Sequence, residues 1–208
     1  MREKIKRFVP VPVWQFLKVA GTALGLRRTH VMLTPHDIGI LEKWARGKRS
    51  LAEIGVFEGG SAVVLRRVMD PSATLTCIDP YVVTEAGMQG SLAISKMVIG
   101  RIKRGRVRFI RDFSHKVAQT WNESLDFLFI DGNHTEEACR VDFEDWERFV
   151  TRDGVILFHD SRLDQPPVQE LMGAEGSTEV VKKLFRLQKH PRWQIVDEGG
   201  SIVVIQRI

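Results

Sequence analysis

Five short, almost unbroken apolar runs recur along this chain: LAEIGVF (51–57), ATLTCID (73–79), RVRFI (106–110), LDFLFID (125–131) and GVILFHD (154–160). Apolar runs of this length, bounded by turn residues, predict strands, and runs such as FLFI and VILF predict strands buried on both faces. Between them lie segments with helical spacing: SAVVLRRVM (61–69), SLAISKMVIGRI (91–102), SHKVAQTW (114–121) and TEEACRVDFEDWERFV (135–150). Strands alternating with helices at this spacing predict right-handed crossovers and a parallel sheet covered on both faces.

The flanks add two elements. Thr34-Pro35-His36-Asp37 predicts a helix start, with Thr34 as N-cap, Pro35 at the first helical position and Asp37 at the third, and an apolar face through Ile38, Leu41 and Trp44. After a break in the pattern at Gly173 to Thr178, EVVKKLFRLQ (179–188) predicts a helix. RWQIVDE and SIVVIQR then meet across Glu198-Gly199-Gly200 as a hairpin, so the final strand is expected to run antiparallel. There is no internal repeat and no low-complexity tract. The pattern divides the chain into an arm, residues 1–33, and one α/β domain, residues 34–208.

Composition supports one sizeable core: 208 residues, 43% hydrophobic and 27% charged. The net charge of +5 is uneven, because residues 1–50 hold 11 Lys or Arg against 3 acids and the remainder 20 against 23. Basicity therefore belongs to the N-terminal arm, whose basic clusters and apolar patches suit either an anionic membrane surface or a plain packing helix. Pro10, Pro12, Gln15 and Lys18 interrupt its apolar run, which argues against a secretory signal, and the run is too polar to span a bilayer. Two cysteines, Cys77 and Cys139, make no disulfide framework; they read as apolar fillers in a protein of the reducing cytoplasm, peripheral at most to the membrane's inner face.

In an open parallel sheet, ligands sit beyond the carboxyl ends of the strands, where strand order reverses. Here those ends carry Glu53 to Ser61, Asp79-Pro80-Tyr81, Asp112 to Ser114, Asp131 to His134, and His159 to Ser161, with an acid at each. EIGVFEGGS is an ExGxxxG turn from strand to helix, and glycines allow a ligand to approach backbone amides there. The dinucleotide fingerprint GxGxxG is not met, since Phe57 stands where its second glycine belongs; a nucleotide-dependent oxidoreductase is the weaker reading. Asp79 follows Gly55 by 24 residues, a spacing that suits a carboxylate accepting both hydroxyls of a ribose.

LAEIGVFEGGS, CIDPY, FIDGNH and RDGVILFHDS, in this order and spacing, resemble the class I S-adenosylmethionine-dependent methyltransferases. Within that class the chain is similar to the small O-methyltransferases related to catechol O-methyltransferase, and to a bacterial branch found with glycan and natural-product biosynthesis. The resemblance covers about residues 34–208. It implies a Rossmann-like seven-stranded sheet of order 3-2-1-4-5-7-6 with strand 7 antiparallel. It also implies that Glu53 engages the methionine ammonium, that Gly55, Phe57, Gly59 and Ser61 shape the methionine pocket, and that Asp79 binds ribose. Ser114 matches a serine contacting adenine, with Phe113 as stacking neighbour. Asp131 and Asp160 match metal-binding acids.

Methyl transfer to oxygen needs alignment, which contributes about 7–11 kcal/mol, and a base, which contributes about a hundredfold or more. His134 lies three residues beyond Asp131, where catechol-type relatives place a lysine base. A neutral imidazole, with an unperturbed pKa of about 6.5, suits that role, with Asp131 receiving the relayed proton. The same His-Thr-Glu-Glu stretch reads equally as a helix start. A divalent ion such as Mg²⁺, held by Asp131 and Asp160 with Asn133 or His159, is the second expectation. At the fifth strand His159-Asp160-Ser161 departs from the relatives' Asp-Asn, and the serine would be a weaker ligand than an amide.

Asp142, Glu144 and Asp145 read as mostly solvated face, with Asp142 alternatively capping a neighbouring element, Trp146 and Phe149 as core, and residues 82–98, after Tyr81, as a lid over substrate. The expected acceptor is a small hydroxylated molecule, a sugar or a phenol. A nucleic-acid methyltransferase or binder is disfavoured, since the fourth strand ends in Asp-Gly-Asn-His and no aromatic-studded basic groove is evident. A homodimer is compatible with everything read here.

Overall fold

The computed structural model describes residues 11–29, 31–82, 90–162 and 175–208. Its centre is a seven-stranded sheet: β1 (Ser50–Ile54), β2 (Thr74–Ile78), β3 (Arg106–Ile110), β4 (Leu125–Ile130), β5 (Val150–Phe158), β6 (Trp193–Gly199) and β7 (Ile202–Arg207). The spatial order is β3-β2-β1-β4-β5-β7-β6, as expected, with β7 antiparallel to both of its neighbours and the first five strands parallel.

β4 shows why the central strands read as unbroken apolar runs. Successive side chains of a strand point to opposite faces, so Phe127 and Phe129 join one core while Leu128 and Ile130 join the other, all of them buried. The first core lies beneath α2 (Pro35–Ala45), α3 (Gly60–Val68) and α4 (Leu92–Gly100), which contribute Leu41, Leu65 and Ile94. The second lies beneath α5 (Ser114–Thr120), α6 (Glu136–Trp146) and α7 (Glu175–Val181), which contribute Val117, Phe143 and Val180. Fully burying a side chain of this size contributes about 1.5–3 kcal/mol.

The caps follow the sequence. Thr34 and Asp37 form a capping box, with Thr34 N donating to Asp37 Oδ2 at 2.7 Å and Asp37 N to Thr34 Oγ1 at 3.2 Å. Asp37 is buried, and its Oδ1 also accepts from Ser201 N at 2.7 Å, which ties α2 to the β6–β7 hairpin. The arm contains a helix of its own, α1 (Val11–Ala23), packed against α4.

Three expectations need correction. Asp142 is buried and not solvated, because α6 turns Cys139, Phe143 and Trp146 inward and Asp142 shares that face. α7 begins at Glu175, inside the stretch expected to break the pattern, and runs on into a π-helical turn at Lys182–Arg186. Ser161, read as only a weak ligand, instead secures the hairpin side of the sheet: its hydroxyl donates to Phe158 O at 2.8 Å and accepts from Val203 N at 3.0 Å. Of the expected lid, residues 83–89 lie outside the described residues.

Candidate active site

Order reverses at β1, whose neighbours are β2 and β4, and in such a sheet ligands bind above the carboxyl ends of these strands. Two backbone features hold this junction. Gly55, at φ +85°, passes so close to the next loop that a Cβ there would lie 1.9 Å from the Asp131 carbonyl oxygen. The non-glycine residues with left-handed φ among those described are Phe57, Tyr81 and Asp160, one just beyond each of β1, β2 and β5. Such residues cost about 1–3 kcal/mol each and collect at functional sites.

On the β1–β2 side, Glu53 is completely buried. Ser61, in the first turn of α3, donates its hydroxyl to Glu53 Oε1, whereas Oε2 is buried with no partner. Burial pushes the Glu53 carboxyl well above the usual carboxylate range, although the Ser61 bond opposes this. Asp79 accepts from Val56 N (2.9 Å) and Phe57 N (2.8 Å) through Oδ2, and from Tyr81 N through Oδ1. The carboxylate expected to bind ribose is thus already fastening the glycine turn, with at most one of its roughly four acceptor positions left. The turn is braced from the other side by Ser95, whose hydroxyl donates to Phe57 O at 3.0 Å.

At the β3 end, Phe113 is exposed and stacks on His115, leaving ring surface open. Ser114, expected at adenine, donates its hydroxyl to buried Asp142. Burial raises the Asp142 carboxyl to about 6, with the Ser114 bond pulling the other way. The alternative expectation for Asp142, a bond to a neighbouring element, is met at Ser114; its burial was missed, though its place between Cys139 and Phe143 on an inward face was the available signal. Buried Glu58 was missed too: Arg27 of the arm grips both of its oxygens, at 2.8 and 2.9 Å.

At the β4–β5 end, two carboxylates and two imidazoles interlock. His159 is only 2% exposed, and its Nδ1 donates to Asp131 Oδ1 at 2.8 Å. The His134 ring lies between the two acids, Nε2 3.5 Å from Asp131 Oδ1 and Nδ1 3.2 Å from Asp160 Oδ2, the second contact close enough for an ion pair but poorly aligned for a hydrogen bond. Burial favours neutral imidazoles, yet the carboxylates outweigh it and raise His134 to about 10 and His159 to about 9. Burial likewise favours a protonated Asp131, but the two imidazoles hold it down at about 2. His134 does not cap α6. That task falls to Thr135, whose hydroxyl accepts from Ala138 N at 3.3 Å.

The site's fit to S-adenosylmethionine rests on Glu53: a buried carboxyl with an orphaned oxygen beside a glycine turn would be relieved by a cation, which the methionine ammonium would supply. The expected metal set fits less well. The facing oxygens of Asp131 and Asp160 are engaged by imidazoles, and Asn133 Oδ1 accepts from Thr135 N at 3.2 Å. Among the described residues no group of three or more His, Cys, Asp or Glu is arranged to hold a metal ion.

Comparison with known proteins agrees with this geometry. Residues 52–161, more than half of the chain, match a family described as a methyltransferase domain. An uncharacterized protein, R132, of Acanthamoeba polyphaga mimivirus is 32% identical over 113 residues, 52% of this chain and 49% of that protein, so the chain spans about half the length of this relative. Among solved structures, cofactor-bound Rv0187 from MTB superposes with a TM-score of 0.67 at 12% identity, covering 93% of this chain and 89% of its own. The O-methyltransferase TomG from Streptomyces achromogenes, in complex with SAM, gives 0.60 at 14% identity over 93% and 89%. An O-methyltransferase from Bacillus cereus in complex with SAH gives 0.59 at 18% identity over 96% and 93%. With the family matched across most of the sheet and the strand order in place, the chain belongs to the methyltransferase-domain family, and it shares its fold with the SAM- and SAH-bound O-methyltransferases above.

Proposed function

We propose that this domain methylates a hydroxyl oxygen of a small molecule, a sugar or glycan precursor or a phenol. The observation that carries the reading is the His134 imidazole suspended between Asp131 and Asp160 at the mouth of the cleft. Structures described as O-methyltransferases, from Streptomyces achromogenes and Bacillus cereus, share the fold and support it.

With its pKa raised to about 10, His134 holds a proton at neutral pH in the free protein and is then no base. Bound S-adenosylmethionine supplies an electrophilic methyl and a positive sulfonium charge. The sulfonium charge would weaken the imidazolium's hold on its proton, which passes to solvent, so that a fraction of neutral His134 would be present as the acceptor that the reaction needs. Asp160 then holds the ring at Nδ1. The acceptor's hydroxyl proton would pass to Nε2, where the Asp131 carboxylate, 3.5 Å away, stabilises the imidazolium that forms. No divalent ion enters this step, because the carboxylates it would need are already paired to the imidazoles.

The test is methyl transfer from labelled S-adenosylmethionine to a panel of phenols and sugars, with and without chelator. We expect a methyl ether, retained activity under chelation, and a loss of well over tenfold in kcat for His134→Ala with cofactor affinity nearly intact. Unchanged turnover in that variant would remove His134 from the mechanism. Activity abolished by chelation and restored by Mg²⁺ would return the ion to it.

A further inference from the structure

The arm is built into the body, and one side of it remains uncovered. Thr22 is buried and Val19 packs against the first core, while buried Glu58 receives Arg27 bidentately and has Lys18 Nζ 3.7 Å away. Beyond these anchors the surface is unusually apolar. Of the twelve large hydrophobic residues exposed among those described, seven fall between residues 13 and 32, including Phe16 at 71%, Leu24 at 72% and Leu26 at 82% exposure. A scattered exposed leucine needs no explanation, but a contiguous group marks an interaction surface.

Charge identifies what covers it. Between Glu3 and Asp37 the sequence has no Asp or Glu, and it has six Lys or Arg. Against this surface lies a cavity of about 390 Å³ lined by Arg27, Arg28 and Arg101 together with Thr22, Thr29 and Val31. Arg27 is neutralised by Glu58, which leaves the guanidiniums of Arg28 and Arg101 with the Thr29 hydroxyl as a seat for phosphate. An apolar ledge beside a phosphate seat matches an anionic phospholipid, headgroup in the arginine cavity and acyl chains along Phe16, Leu24 and Leu26. A symmetric contact with a second copy would set like charges face to face, and aliphatic Leu24 and Leu26 offer nothing to a nucleic acid. α1, with 13 residues spanning about 20 Å, is too short to cross a bilayer. No helix among the described residues is long and apolar enough to do so.

We propose that Val13, Phe16, Leu17, Leu24, Leu26 and Arg28, with Arg101 of the neighbouring loop, form an interfacial docking surface for membranes rich in anionic phospholipid. Glu58 links this surface to the glycine turn of the cofactor site through Arg27, so docking presents the cleft at a fixed orientation to the bilayer. The proposal is independent of the acceptor's identity.

The test is flotation of the full chain with phosphatidylcholine vesicles containing or lacking phosphatidylglycerol. Binding is expected only to the anionic vesicles, falling as salt is raised. Leu24→Glu with Leu26→Glu, both at exposed positions, is expected to lower partition at least about tenfold, since it removes apolar contact and adds repulsion. Arg28→Gln with Arg101→Gln is expected to lower it about tenfold or more, and millimolar inorganic phosphate is expected not to displace the wild type. Melting temperature and S-adenosylhomocysteine binding stay unchanged in both double variants, which separates lost docking from lost folding. Equal binding to neutral and anionic vesicles, or no effect of the Leu24→Glu, Leu26→Glu pair, overturns the proposal. So does a dimer that this pair dissociates, or preferential binding to duplex nucleic acid.

Discussion

The two halves of the cleft rim are satisfied in opposite ways. On the β1–β2 side the acids are fastened by the chain itself: Asp79 by three backbone amides, Glu53 by the Ser61 hydroxyl. On the β4–β5 side Asp131, Asp160, His134 and His159 are satisfied chiefly by one another. A carboxylate held by amides has a fixed geometry and a fixed charge, which suits holding a cofactor. A cluster of ionisable groups holding one another redistributes its protons when a new charge arrives, which suits chemistry.

The largest effect should come from the point where the halves touch. Gly55→Ala forces a side chain to φ +85° and into the Asp131 carbonyl. It is expected to cost on the order of 3 kcal/mol in denaturant unfolding and to abolish cofactor binding. Near-normal stability would mean that the halves are not rigidly joined.

Next comes the charge cluster's signature in stability against pH. His134 and His159 have folded pKa values of about 10 and about 9, raised above the unfolded value, so their contribution is complete below about pH 6.5 and is lost as pH rises through 9–10. Asp131, lowered to about 2, contributes fully above about pH 4 and loses its contribution as pH falls through 2. Asp131→Asn is therefore expected to destabilise by about 3 kcal/mol near pH 6, with the difference shrinking above pH 9. A difference that does not change between pH 6 and 10 would show that the imidazoles are not charged in the folded state.

The smallest effect is expected at Asn133. It caps a turn through Thr135 N and touches neither half's acids, so Asn133→Ala should cost less than about 1 kcal/mol and leave turnover unchanged. A large loss of turnover would restore Asn133 as a ligand.

The sheet was legible because FLFI and VILF can be buried only between two layers of helix, and the capping box and the Gly199-Gly200 turn are local chemistry. The acids at the strand ends were legible for the same reason: they interrupt apolar runs. What each acid bonds to was not. Asp79 meets Val56 and Phe57 only because β1 and β2 lie side by side, a tertiary fact absent from the spacing. His134 was expected to be neutral because its unperturbed value lies near neutrality; Asp131, and with it Asp160, 26 residues away in sequence, reverse the sign.

The central claim is that His134 is an imidazolium in the free protein and that the cofactor's positive charge weakens its hold on the proton. It is tested most directly by following the His134 ring by NMR across pH, in the free protein, with S-adenosylhomocysteine and with S-adenosylmethionine. The midpoint should lie near 10 in the free protein and stay there with the neutral thioether. It should fall by about one to two units with the sulfonium, the effect of one added charge several ångströms away. A midpoint near the ordinary histidine value in the free protein, or the same midpoint with both ligands, would contradict it.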